Sequence, residues 1–329
     1  MPKNIYAHMQ TAVDIVTTSD HPTNKIAATI AGENWALSCV NHWPPVIAEK
    51  IGREADIGNS SGTIHAETAC IIGAGQAGHK TDGTSIFITD PPCPNCMKNL
   101  AEAGITKLYI DHKGFDKDWI RRRGDDFENM SMRIAAKAGM DVFVIYRKEE
   151  RFEVISRHAP GYKPSNENPI KIRHCEEEQP TKQSIEAFWI ASLSLAMTQH
   201  RDEPFALALA ADKDGQVFSI AANCHPTIGY TSQTLEHPDN KYSYILEPVN
   251  RLLMNAPRYG LHIDPAHIYS SRVPSARELV NMIGAGLTQI QIGDMNESRD
   301  ECGPKALELL ENADILTVKN QSKQNLYGK

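Results

Sequence analysis

Several things are missing from this sequence, and each absence removes a class of protein. No apolar run is long enough to span a bilayer. The longest, Ile185 to Met197, is interrupted by Ser192 and Ser194 and falls short of the ~20 residues a spanning helix needs. There is no surplus of positive charge: 34 basic residues face 41 acidic ones, a net charge of −7. That argues against a generally basic nucleic-acid binder and leaves room only for a local patch. A disulfide framework is also missing, because the seven cysteines are odd in number and scattered over a long chain. Met1 to Val16 has no apolar leader segment, since Lys3, Asn4, His8, Gln10 and Asp14 interrupt it. Together these absences predict a cytoplasmic protein with no membrane partner. In a reducing compartment a close cysteine pair is metal-binding or catalytic rather than bridged.

What is present is an average globular composition, 41% hydrophobic and 23% charged over 329 residues. At roughly 150 residues per domain, that length predicts two domains. The first half alternates strand and helix signals. A helix is expected over Ile5 to Thr18, ended by Ser19-Asp20-His21-Pro22. Two strands follow, Ile26 to Ala31 and Trp35 to Val40, joined at Gly32-Glu33-Asn34. Helices at His65 to Gly75, Cys93 to Ala103 and Trp119 to Ala138 then alternate with strands at Ser85 to Thr89, Lys107 to Asp111 and Val142 to Tyr146. This order predicts an α/β sheet with right-handed crossovers in its later part. From about Glu149 to Gln183 the periodicity fades into Pro160, Pro164, Pro169, Pro180 and an acidic run, which reads as a linker. The expected organisation is therefore a first domain over 1–150, a linker over 151–182 and a second domain over 183–329.

Two short motifs carry the chemistry of the first half. One is His65-Ala66-Glu67; the other is Pro92-Cys93-Pro94-Asn95-Cys96, which begins shortly before a predicted helix. Alone, the Cys-x-x-Cys reads equally as a redox pair, half of a structural zinc site, or chance. Together the motifs supply three zinc ligands, His65, Cys93 and Cys96, and a carboxylate, Glu67. Three protein ligands leave the fourth tetrahedral position for water, as catalytic rather than structural zinc sites do. Both motifs sit at expected helix starts, where free N–H groups favour thiolate over thiol. Glu67 is placed to move a proton from that water to a substrate nitrogen.

The order and spacing of these residues resemble the zinc-deaminase signature His-x-Glu … Pro-Cys-x-x-Cys, and over residues 26 to 147 the chain resembles the cytidine deaminase-like superfamily. That resemblance implies a three-layer α/β/α fold around a mixed five-stranded sheet, one Zn²⁺ per chain, and hydrolytic deamination of an amino-substituted nucleobase. The run Thr89 to Lys98, followed by Ala103-Gly104-Ile105, looks most like the deoxycytidylate branch. The departure is Ala69, where that branch carries Asn. By the same resemblance Asn41 would bond the substrate and Ala66 would offer backbone groups to the base. Cytosine nucleosides or nucleotides come first as substrates and guanine or another purine second. Editing of a base in tRNA or single-stranded DNA is the alternative, which the acidic net charge disfavours. Arg121-Arg122-Arg123 reads as a solvated helix face rather than a phosphate contact. Gly73 to Gly78 matches G-x-G-x-x-G, but a helix precedes it and a strand follows, so the glycines end a helix instead of cradling a dinucleotide.

The second half can be laid on the first. Asn41 falls on Asn223, Pro92 on Pro274, Ala103-Gly104 on Ala285-Gly286 and Thr106 on Thr288, each 182 positions apart. An adjustment of two residues places Glu67 on Glu247 and His65 on Ile245, while Cys93 falls on Ser275 and Cys96 on Glu278. The expectation is a duplicated fold whose second domain has lost its metal and its catalysis. Because superfamily members commonly oligomerise, with a neighbour completing the site wall, a homo-oligomer remains open to this chain, and the second domain could itself act as that neighbour.

Overall fold

The structure is a computed structural model that describes residues 4–53, 55–57, 61–117, 130–177, 180–233 and 243–320. The first half begins with helix α1 (Ile5–Ile15) and the hairpin β1 (Ala27–Ala31) and β2 (Ala36–Val40). Next come α2 (Pro45–Lys50), α3 (Ala66–Gln76), β3 (Ser85–Ile88), α4 (Pro94–Glu102), β4 (Lys107–Asp111), α5 (Met132–Lys137) and β5 (Asp141–Tyr146). The sheet runs β2-β1-β3-β4-β5, antiparallel up to β3 and parallel from β3 to β5. Helix α1 packs Ile5 and Met9 against Phe87, Tyr109 and Phe143 on one face. On the other face lie α3 and α4, so both faces are covered, as parallel strands require. Gly78, at a φ of +72°, follows the end of α3. The glycine-rich run is thus a helix terminus followed by a strand. Arg121 to Arg123 lie outside the described residues, as does most of the long helix expected before α5.

In the second half, α6 (Lys182–Gln199) precedes β8 (Phe205–Ala211), β9 (Val217–Asn223) and a separate two-stranded pair, β10 (His225–Pro226) with β11 (Ile245–Leu246). They are followed by α7 (Pro248–Arg258), β12 (His262–Val273), α8 (Ala276–Gly284), β13 (Gln289–Ser298), α9 (Cys302–Asn312) and β14 (Thr317–Asn320). The spatial order β9-β8-β12-β13-β14 repeats that of the first sheet, with the same change from antiparallel to parallel pairing.

Two expectations need correcting. Each sheet has six strands rather than five, and both extra strands come from the segment read as a linker. β6 (Arg151–Ser156) adds to β5, and β7 (Lys171–His174) adds to β9. These edge strands pair along one side and bury little, so they lack the strong alternation that marks a strand in sequence. The second correction concerns register. Helix α3 starts at Ala66 with His65 as its N-cap, and α7 starts at Pro248 with Glu247 as its N-cap. The offset therefore stays at 182 through this helix: His65 corresponds to Glu247 and Glu67 to Val249. The two-residue adjustment matched a glutamate to a glutamate at the expense of the helix start.

The halves share one apolar core. Helix α3 is buried almost all round, and a Cβ on Gly75 would come within 2.7 Å of Pro257 in α7. A helix buried on every side is one with neighbours on every side. Between the helices Asn99 donates to Thr68 (3.0 Å), Asn250 to Asn99 (3.4 Å) and Asn281 to Asn250 (2.8 Å), a buried amide chain across the interface. Arg251, also buried, faces Glu102 at 3.5 Å and donates to the carbonyls of Asn223 (3.1 Å) and Asn168 (2.7 Å). Arg251→Met would leave the Glu102 carboxylate without its cation and is expected to cost about 3–5 kcal/mol. The check is a lower urea midpoint at an unchanged slope.

A second stability device sits on the far side of the second sheet. His267 Nδ1 lies 2.7 Å from Asp264 and its Nε2 3.2 Å from Glu186 on α6. The Asp264 hydrogen bond, ahead of the Glu186 one, raises the imidazole above its ordinary pKa. The stabilisation is complete below the unfolded histidine value of about 6.5 and is lost as pH rises through the folded one. Thermal melts at about pH 6 and about pH 9 should therefore differ more in the wild type than in His267→Gln.

Candidate active site

Both motifs meet at helix N-termini. His65 caps α3 and Cys93 caps α4, with Cys96 one turn into α4 and Pro94 at its first position. Pro is suited there because the missing N–H has no helical partner to lose. Their order along the chain follows from the crossover topology: α3 and α4 lie side by side on one face, so their starts converge. His65 Nδ1 is 3.1 Å from Cys96 Sγ and 3.7 Å from Cys93 Sγ. All three donor atoms lie within 4.8 Å of one another. Tetrahedral zinc with bonds of about 2.0 Å to nitrogen and 2.3 Å to sulfur requires separations of about 3.5–3.8 Å. The donor types fit zinc, with the 3.7 Å contact inside that range and the 3.1 Å contact a little short of it. Among the described residues this is the one such group of three.

The electrostatics suit a cation. A hydrogen bond from Cys96, helped by His65, holds the Cys93 thiol well below its ordinary pKa. Glu67, in the first turn of α3, is 2% exposed and its Oε2 has no hydrogen-bond partner. Burial pushes its pKa up to about 7. A buried carboxylate oxygen without a partner costs free energy and is rare away from functional sites.

A cleft of about 500 Å³ opens on these residues, and both halves line it: His65, Glu67 and Cys93 from the first, Asn250, Arg277 and Arg299 from the second. Ala66 is fully buried as the first residue of α3. Asn41 lines the cleft, but its side chain is largely engaged within the protein. Its Oδ1 accepts from Ser19 Oγ (2.7 Å) and the Ile26 N–H (2.8 Å), and its Nδ2 donates to the Asn24 carbonyl (2.7 Å). One amide hydrogen is left for a ligand.

The sequence reading missed His21. It appeared only as part of a helix break, yet it lines the cleft. Its Nδ1 accepts from the N–H groups of Thr23 and Asn24 at 3.3 and 3.0 Å, which puts the proton of the neutral ring on Nε2. Burial lowers its pKa, so the neutral form is favoured. The second-half lining was missed as well, since nothing in a linear sequence says that two helix starts 182 residues apart face one cavity.

At the corresponding positions of the second half, protein groups satisfy one another. Arg272 Nη2 lies 2.7 Å from Glu247 Oε2, and Arg299 Nη1 3.5 Å from its Oε1. Glu278 Oε1 accepts from the backbone N–H groups of Val249 (2.8 Å) and Asn250 (3.2 Å), and its Oε2 from the Ser275 N–H and Oγ (both 2.8 Å). A guanidinium supplies the positive charge beside Glu247.

Comparison with known proteins bears on the first half. Residues 2–112 match the cytidine and deoxycytidylate deaminase zinc-binding region. The chain is 33% identical over 90 residues to a deoxycytidylate deaminase of Enterobacteria phage T4, a match covering 27% of this chain and 42% of that protein. It is 26% identical over 125 residues to an uncharacterized deaminase of Aliivibrio fischeri, covering 38% of this chain and 81% of the relative. Among solved structures it is similar to the dCMP deaminase of cyanophage S-TIM5 in complex with dCMP and dUMP. That similarity has 21% identity and a TM-score of 0.34, over 44% of this chain and 98% of that one. The chain spans about two fifths of the length of the phage T4 relative. Among the described residues no helix is long and apolar enough to cross a membrane. With the two motifs joined in space over the matched region, the first half of this chain is similar to the zinc-binding region of cytidine and deoxycytidylate deaminases.

Proposed function

We propose that this protein is a zinc-dependent hydrolytic deaminase of a cytosine nucleotide, converting the ring carbon that bears the amino group to a carbonyl and releasing ammonia. The observation that carries the reading is the convergence of His65, Cys93 and Cys96 beside the buried carboxyl of Glu67 in one cleft. His65, Cys93 and Cys96 hold the metal. Zinc, when bound in such a set, supplies Lewis acidity that brings the pKa of water towards neutrality. Glu67 acts as the proton carrier: of the two protons that water loses in becoming the carbonyl oxygen, it delivers one to the ring nitrogen and one to the amino group, which leaves as ammonia. A carboxyl whose pKa lies near 7 is suited to both halves of that transfer. Ala66 offers a first-turn N–H to the base, Asn41 its remaining amide hydrogen, and His21 its Nε2–H.

The same reading takes the chain as two related units, 1–150 and 183–329, joined by a segment that lends each sheet an edge strand. The second unit is degenerate, with Glu247, Ser275 and Glu278 at the ligand positions and Arg272 supplying the cation. Ammonia release, screened over cytosine and purine bases, nucleosides, nucleotides and short single strands, tests the assignment with Glu67→Ala as control. Release from a cytosine nucleotide that vanishes in the control supports it. A zinc-loaded chain that releases ammonia from none of the cytosine compounds overturns it.

A further inference from the structure

Residues 61–65 form a short arm, bent at Gly62 and bridged from Ser61 to Asp56, that ends in His65. On one side Ile64 is bridged to His42, with N–H to carbonyl distances of 2.9 and 3.2 Å in the two directions. The carbonyls of Ser61 and Thr63 are turned towards a different neighbour. They meet Arg277, in the first turn of α8 in the second half. Its Nη1 donates to the Thr63 carbonyl at 2.7 Å and its Nη2 to the Ser61 carbonyl at 3.0 Å.

The second half shows the reciprocal arrangement. Leu246 pairs with His225, and the carbonyls of Ser243 and Ile245 accept from the buried Nζ of Lys98 on α4 at 2.7 and 2.8 Å. Ser243 and Ile245 lie 182 positions after Ser61 and Thr63. Each half thus holds the other's arm with a cation from a helix. Arg277 and Lys98 do not occupy corresponding positions, so the same contact is made from two different places in the helix. Only the first arm ends in a metal ligand.

We propose that Arg277 is the positioning residue that sets the His65 imidazole against the Cys93–Cys96 pair, so that the second half fixes the metal geometry of the first. The inference rests on the zinc-deaminase reading above. Cys93 and Cys96 belong to one helix start and keep their spacing together. His65 reaches them from a different helix start, that of α3, and from the arm leading into it, and a zinc site tolerates only about 0.2 Å of error in its bond lengths. Hydrogen bonds from a charged donor are among the stronger ones available for holding such an arm. Groups that orient ligands without touching the metal typically carry 10–100-fold in affinity.

The test is zinc release from the zinc-loaded full chain to a chromophoric chelator, alongside kcat and KM and a thermal melt. Arg277→Ala is expected to release zinc about 10-fold or more faster than the wild type, and Arg277→Lys to recover part of the loss. Arg258→Ala removes a different contact across the same interface, to Asp82 at 3.1 Å and the Glu102 carbonyl at 3.4 Å, and should release zinc like the wild type. Should Arg277→Ala not fold, Arg277→Gln, which retains an amide donor for one carbonyl, takes its place and should release zinc faster than the wild type. Wild-type release rates in the Arg277 variants overturn the proposal, as does Arg258→Ala matching Arg277→Ala. A wild-type chain that retains no zinc overturns the deaminase reading itself, which separates the two failures.

Discussion

Glu67→Gln is expected to lower kcat by about 10²–10⁴-fold, the usual contribution of a positioned acid–base group, while the chain still carries one zinc. The amide has the shape of the carboxyl and the same place in the first turn of α3, so packing should change little. What it lacks is a titratable oxygen. In the wild type that oxygen is buried, without a hydrogen-bond partner, and raised to about 7 by desolvation. Those properties make Glu67 a poor structural residue and a good proton carrier. Because Glu67 is not one of the three donor atoms grouped at the site, metal content should not follow activity. Steady-state ammonia release paired with zinc analysis of the same sample is the check. Loss of zinc in parallel with activity would mean that Glu67 serves the metal rather than the proton.

Removing a ligand has the opposite signature. In Cys93→Ser a hydroxyl replaces the thiol whose pKa is already held low by Cys96 and His65. Loss of a ligand should weaken zinc by more than the 10–100-fold that a supporting group carries. Zinc per chain should fall from one to a small fraction after dialysis against a chelator, and activity should fall with it. The second half should contribute nothing to the count. Its corresponding atoms are engaged with one another: Glu247 with Arg272 and Arg299, and Glu278 with Ser275 and the start of α7. Two tightly held zinc ions per chain would sink the picture of one metal site and one degenerate unit.

The part of this protein legible in sequence is the part in which chemistry demands particular residue types at short range. His65, Glu67, Cys93 and Cys96 form two compact motifs, because helix starts bring successive ligands together with few residues between them. Strands β1 and β3 to β5 are readable because they are buried, and β2 because a tight turn joins it to β1. The edge strands β6 and β7 were read as linker because they pair on one side only and carry little apolar signal.

The register of the second half shows the limit more sharply. Identity favoured matching Glu67 with Glu247, but the helix starts decide for His65 with Glu247. Where a segment carries no ligand set, no ligand chemistry anchors the alignment. Packing still does, because helices α3 and α7 lie against each other and their ends are fixed by the shared core.

By itself, then, the sequence determined the two motifs, with His65, Cys93 and Cys96 as candidate ligands and Glu67 beside them, and the alternation of strands and helices. The tertiary structure alone decided that one cleft is built from both halves. It also decided that Asn41 is mostly engaged in holding its own loop, that His21 faces the cleft, and that Arg277 holds the arm bearing His65. The reason is physical: these roles depend on which surfaces two distant segments present to each other. Hydrogen bonds to backbone carbonyls, such as those of Ser61 and Thr63, leave no mark on the identity of the residues that accept them.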